Sequence, residues 1–183
     1  MARRIAWLLL LPLAAAGCGD RSLILTVDVL SFLSTSDVSQ SYSVPGGLPS
    51  TTMDVVSESL NLLPGVEDVT EVASASLKIG ASFDNQTGNA SGTLLIYIAP
   101  GDSTDPFTTT PIASIPVTLT PGNVTNVSTE VSSIELARAM VSASARVGIR
   151  IKFDSTGTPP LQFVTGTETI TQLLATVITK KKL

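Results

Sequence analysis

Apolar residues return at every second position in several stretches of this chain. Leu23, Leu25, Val27 and Val29 alternate with Ile24, Thr26 and Asp28, the period of a strand whose successive side chains point to opposite faces. The clearest stretch is Ala73, Ala75, Leu77, Ile79, Ala81 and Phe83, set against Ser74, Ser76, Lys78, Gly80 and Ser82. One face belongs to a core and the other to water. Asp84 to Asn89 is rich in turn formers, and Thr93 to Ala99 returns as an apolar run, so the pair reads as a hairpin. Ile115, Val117 and Leu119 predict a further strand, with Pro116 placing it at a sheet edge. Pro121-Gly122-Asn123 turns into Val124–Val131, and Val147, Ile149, Ile151 and Phe153 alternate with Gly148, Arg150 and Lys152. Asp154 to Pro160 is a turn, and Glu168 to Thr179 is the last strand.

Other segments are less regular. Residues 34–50 are polar and broken by Pro45-Gly46-Gly47 and Pro49, which predicts a loop. Residues 51–63 fit a strand through Val56, Glu58, Leu60 and Leu62, and a helix through Met53, Val56, Leu60 and Leu63; the strand is preferred, and Pro64-Gly65 ends either one. Ser132 followed by Glu135 resembles a capping box, and Ile134, Leu136, Ala137, Met140 and Val141 form a helical stripe. The expected fold is therefore all-β: an antiparallel β-sandwich of about 8–10 short strands over residues 23–183, with one short helix near 132–141. A small β-barrel is the alternative.

The first eighteen residues follow a different rule. Arg3 and Arg4 form a positive start, Ile5 to Leu13 an apolar stretch broken only by Pro12, and Ala14-Ala15-Ala16-Gly17 a run of small residues before Cys18. This is the order of an export leader, and the apolar stretch is too short for a membrane-spanning helix. Ala15-Ala16-Gly17-Cys18 resembles the lipobox of bacterial lipoproteins, with Ala15 where that motif usually has Leu. The resemblance covers residues 1–18 alone. It implies a signal peptide over 1–17, cleavage between Gly17 and Cys18, lipid on the Cys18 sulfur and amine, and a short tether over 18–22. Ordinary secretory cleavage after Ala16 is the rival reading. In Gram-negative lipoproteins an Asp directly after the cysteine favours the inner membrane; Gly19 stands there instead, which points to the outer membrane.

Composition changes the picture chiefly by exclusion. The chain is 43% hydrophobic and 14% charged, which suits a folded core rather than disorder. Its net charge of −4, more negative still once Arg3 and Arg4 leave, makes nucleic acid a poor partner. Histidine is absent and Cys18 is the sole cysteine, so the commonest general base, an internal disulfide and a thiolate zinc site are all missing. No nucleophile elbow or phosphate loop occurs, and no cofactor or metal is expected. Asp102 and Asp105, and Glu67, Asp68 and Glu71, read as solvated loop acids, and Asp84 to Asn89 fails the pattern of a calcium loop. Arg146, Arg150 and Lys152 share one strand face, the candidate surface for an acidic partner. Lys180–Lys182 read as a solvated end. The expected function is a lipid-anchored, non-enzymatic binding, assembly or structural module of the cell envelope, held to the membrane through Cys18 and facing another envelope protein. Carriage of a hydrophobic ligand between the sheets is second, and carboxylate-based hydrolysis third.

Overall fold

The computed structural model describes residues 21–61, 71–101, 105–142 and 144–181. The leader, Gly17 and Cys18 lie outside the described residues, as do Glu67, Asp68, Asp102 and Lys182. The fold is an antiparallel β-sandwich. Nine strands run in chain order: β1 (Arg21–Asp28), β2 (Ser39–Pro45), β3 (Thr51–Val56), β4 (Glu71–Thr87), β5 (Ala90–Pro100), β6 (Ala113–Leu119), β7 (Asn123–Ser132), β8 (Ala145–Asp154) and β9 (Phe163–Lys181). One sheet has the order β1-β9-β4-β7, with β2 on the same edge of β9 as β1; the other has the order β3-β8-β5-β6. Both sheets are open, so the barrel alternative is not realised.

The core lies between the two inner faces. β4 contributes Ala75, Leu77, Ile79, Ala81 and Phe83, while β5 contributes Leu94, Ile96 and Ile98 and β8 contributes Val147, Ile149, Ile151 and Phe153. α2 (Ile134–Met140) closes one end with Leu136, Ala137, Ala139 and Met140 buried. Its N-cap is Ser133, whose hydroxyl accepts from the Leu136 N–H at 2.9 Å. The expected cap, Ser132, is instead the last residue of β7, because that strand keeps its ladder to β4 through Ser132.

Further expectations change. First, residues 34–50 are not a loop throughout: α1 (Thr35–Val38) is capped reciprocally by Ser34 and Asp37, and β2 follows. Serines at 39, 41 and 43 hide an alternation in which Tyr42 and Val44 face inward. Secondly, β4 and β5 are not a hairpin. β4 pairs with β7 and β9, whereas β5 pairs with β6 and β8. The chain turns at Gly88, at φ +69°, and crosses to the opposite sheet. Alternation is the same whether two strands lie side by side or face each other, so the pattern cannot separate the cases. Thirdly, Ala73 is exposed, because a bulge between Val72 and Ser74 puts the strand out of phase there. Lastly, β4 and β9 are long, at 17 and 19 residues, and the last strand opens at Phe163 rather than Glu168. Pro116 does occupy an edge, since β6 pairs with β5 alone.

β9 also gives the sandwich two distinct ends. Arg21 of β1 lies opposite Lys181, and Pro45 of β2 opposite Phe163. At about 3.3 Å per residue the strand spans on the order of 60 Å. The first strand opens at Arg21, two residues earlier than expected, so Cys18 is separated from the sheet by Gly19 and Asp20 alone.

Phe83 has no exposed surface and is the last of the inner apolar residues of β4. Phe83→Ala is expected to cost about 3–5 kcal/mol of folding stability, measured by urea denaturation. A loss below about 1 kcal/mol would contradict this packing.

Candidate functional site

Register brings the basic residues Arg146, Arg150 and Lys152 together on the outer face of β8, since Val147, Ile149 and Ile151 take the inner one. Two of the three are then occupied within the chain. Asp54 on β3 lies directly opposite Arg150, and its carboxylate accepts from Nε and Nη2 at 2.6 Å each. The same guanidinium sits 4.1 Å from the centre of the Phe107 ring. Phe107 meets Tyr97 edge to face at 5.2 Å. Hydrogen bonding to Asp54 holds the Arg150 pKa above its ordinary value. This cluster requires Gly148: a Cβ there would lie 2.9 Å from the Pro106 ring. Arg146 Nε donates to the Ser57 carbonyl at 3.3 Å. Lys152 projects into solvent. The outer face of β8 is thus a braced surface more than an unpaired basic patch.

A second group, not foreseen from the sequence, is buried between the sheets near the Phe163 end. The Tyr42 hydroxyl donates to Asn85 Oδ1 at 3.0 Å, and Asn85 Nδ2 donates to the Gly88 carbonyl at 2.8 Å. The Tyr42 ring packs against Phe153 of the other sheet, 5.3 Å between centroids. Gly166 makes room for it, because a Cβ would collide with the Asp84 carbonyl and the Tyr42 hydroxyl. Glu168, opposite Phe83 on β4, is 2% exposed, and its Oε1 has no hydrogen-bond partner among the described residues. Burial pushes the Glu168 carboxyl up to about 7. Burial, then Asp84, then Glu168 push the Tyr42 phenol up to about 12. The available signal was phase: Glu168 lies two residues from Gly166 and from Ile170, and all three are inner positions.

Of the loop acids, Asp105 and Glu71 are among the described residues, and each has a local place in the fold. Asp105 accepts from the Phe107 N–H at 3.0 Å and caps a 3-10 turn. Glu71 opens β4, and Asp84 to Thr87 continue that strand instead of forming a loop. A cleft of about 480 Å³ lies between the segment after β1 and the segment after β3, lined by Phe32, Leu33, Asp37, Val56, Glu58 and Leu60. Asp37 is already engaged there, accepting from the Ser34 N–H at 3.2 Å. Among the described residues, no three Asp, Glu, His or Cys side chains are grouped to hold a metal ion. No helix among them is long and apolar enough to cross a membrane.

No protein-family model matches the chain, and no curated protein matches it in sequence. Among solved structures it is similar to the infectious bursal disease virus Gx strain structure, with TM-score 0.41 and 11% identity over 90% of this chain and 36% of that one. It is also similar to the VP2 subviral particle of the same virus, with TM-score 0.41 and 10% identity over 89% of this chain and 37% of that one. A third likeness is to dimeric latent PorU from Porphyromonas gingivalis, with TM-score 0.34 and 11% identity over 90% of this chain and 13% of that one. The chain thus spans little more than a third of the capsid chains it resembles. At these TM-scores the likenesses carry no functional argument.

Glu168 generates a prediction on stability. Its carboxyl ionises near the usual 4.5 in the unfolded chain and near 7 in the fold. Between those values folding takes up a proton, so stability falls as pH rises through that window and is level above it. The total change is about 3 kcal/mol, at about 1.4 kcal/mol per pH unit. Urea titrations at pH 5 and pH 8 should show this fall in the wild type and a much smaller one in Glu168→Gln. Equal pH dependence in both proteins would refute the assignment.

Proposed function

We propose that this protein is a lipid-anchored lipoprotein of the cell envelope whose β-sandwich is a non-enzymatic binding or assembly module. The observation that carries the reading is the sole cysteine, Cys18, placed directly after an apolar leader and Ala15-Ala16-Gly17. Lipid on one cysteine and its amine supplies more than one acyl chain, and two or more chains hold a protein stably where one holds it marginally. Gly19 after the cysteine fits the outer membrane in a Gram-negative cell. With β1 opening at Arg21, the connection from Cys18 is at most about 10 Å long, so that end of the sandwich rests at the lipid surface.

Packing favours recognition on the outside over carriage within. The space between the inner faces is occupied by Phe83, Phe153, Leu77, Ile79, Leu94, Ile96 and their neighbours, each fully or almost fully buried. The cleft of about 480 Å³ described above is open and lined by acids as well as apolar groups.

In membrane fractions of cells making the full-length chain, wild type should sediment with the membranes and incorporate a fatty-acid analogue. Cys18→Ser should do neither. Equal labelling of both chains would end the lipoprotein reading and leave ordinary secretion.

A further inference from the structure

The four loops at the end of the sandwich remote from Arg21 are 46–50, 88–89, 120–122 and 155–162. None contains Asp, Glu, Lys or Arg, and the charge that borders them is Asp154, the last residue of β8, whose carboxylate accepts from the Thr156 N–H at 3.0 Å and the Thr156 hydroxyl at 2.6 Å. Two buried hydroxyls latch three of these loops together. Ser155 Oγ donates to the Pro45 carbonyl at 2.7 Å and accepts from the Leu48 N–H at 3.2 Å. The Gly47 N–H donates to the Ser155 carbonyl, and the Ser155 N–H to the Leu48 carbonyl, both at 2.9 Å. Thr158 Oγ1 donates to the Asn89 carbonyl at 2.9 Å and accepts from the Asn89 N–H at 2.7 Å. The Gly46 N–H reaches the Gln162 carbonyl at 2.8 Å. Pro49, Pro159 and Pro160 stiffen the same loops, so they form a preorganised platform.

Leu161 stands on that platform 99% exposed and at φ +74°. It is the one non-glycine residue with positive φ among those described. A branched side chain is disfavoured in this left-handed region. Leu48 at 40% and Phe163 at 50% exposure belong to the same latched cluster. A strained backbone and a large apolar side chain in water both count against the isolated fold, which is the signature of a contact made with something else.

We propose that these four loops form a docking surface, with Leu161 as its anchoring side chain, for a protein that presents an apolar pocket. A fixed knob on a rigid base suits a shaped pocket, whose gain concentrates in a few well-packed side chains. A bilayer is the poorer occupant. It is fluid and selects no single backbone geometry, and these loops offer neither the basic residues nor the tryptophan of membrane-surface segments. A second copy joined end to end would put the two Arg21 ends at opposite extremes, which chains anchored in one leaflet cannot do. That last step rests on the lipoprotein reading; the rest does not.

The test uses the full-length chain with a photo-crosslinking residue at Gln162, beside Leu161 and exposed, and at Ile24 as a control near Arg21. In intact cells, position 162 should give one discrete protein adduct that position 24 does not, and Leu161→Gly should remove it. The adducted protein, purified, should bind the detergent-solubilised chain, with Leu161→Gly weakening binding at least tenfold. The same variant should melt no lower than wild type, because glycine adopts positive φ freely. Cys18→Ser should leave this solution affinity unchanged even where it abolishes membrane attachment, so the two proposals fail separately. An adduct with lipid alone, an adduct of twice the chain's mass, no adduct peculiar to position 162, or wild-type binding by Leu161→Gly would each overturn the docking surface.

Discussion

β9 is hydrogen-bonded along both edges: β4 takes one, from Thr165 to Lys180, and β1 and β2 divide the other. A strand in that position has no edge left on which proline would be tolerated, and none occurs between Phe163 and Lys181. Its outward positions carry Thr165, Thr167, Thr169 and Thr176, β-branched residues suited to a pleated surface. Its inward positions are Val164, Gly166, Glu168 and Ile170, then Leu173, Ala175 and Val177. The phase changes between the two groups because Thr171 bulges, Gly80 of β4 pairing with Gln172 and Ala81 with Ile170. The gap between β2 and β1 on the other edge falls at the same place, where α1 and the turn before it carry the chain past. One bulge thus resets the phase so that Leu173, Ala175 and Val177 stay inside.

The half of β9 before the bulge accommodates polar groups that the half after it largely avoids. Tyr42, Asn85 and Glu168 lie between the sheets, and Ser155 and Thr158 lie buried in the loops beyond. Asn85, Ser155 and Thr158 satisfy backbone groups that would otherwise be stranded where the chain leaves a sheet. Glu168 has no such role, and its Oε1 has no hydrogen-bond partner among the described residues. A charged carboxylate there would be strongly disfavoured, so the group stays neutral through most of the acid range.

The two ends of the molecule differ in chemistry as well as position. At one end Arg21 lies opposite Lys181 and Glu71 opposite Lys180, and on the outer face of β8 Asp54 neutralises Arg150. The Phe163 end is held by hydroxyls, prolines and backbone bonds.

Much of the fold was legible in the sequence because alternation reports the environment of a strand directly. β1, β4, β6, β7, β8 and the end of β9 followed from it, as did the edge position of Pro116 and a short helix before β8. Alternation does not report which strand lies alongside, so β4 and β5 read as a hairpin though they face each other across the core. It also fails where serine occupies the outer positions, which hid β2, and where a bulge shifts the phase, which exposed Ala73. Of the candidate sites, the grouping of Arg146, Arg150 and Lys152 was local and therefore readable, whereas the Asp54 carboxylate that occupies Arg150 lies 96 residues away. Tyr42 and Leu161 took their character from the tertiary structure, and so did Glu168 apart from the phase it shares with Ile170. Burial, an unpartnered oxygen and a positive φ arise only once distant segments have packed, and no residue type announces them. Cys18 is the opposite case: its proposed lipidation rests on the linear pattern Ala15-Ala16-Gly17-Cys18, and the folded domain adds nothing to it.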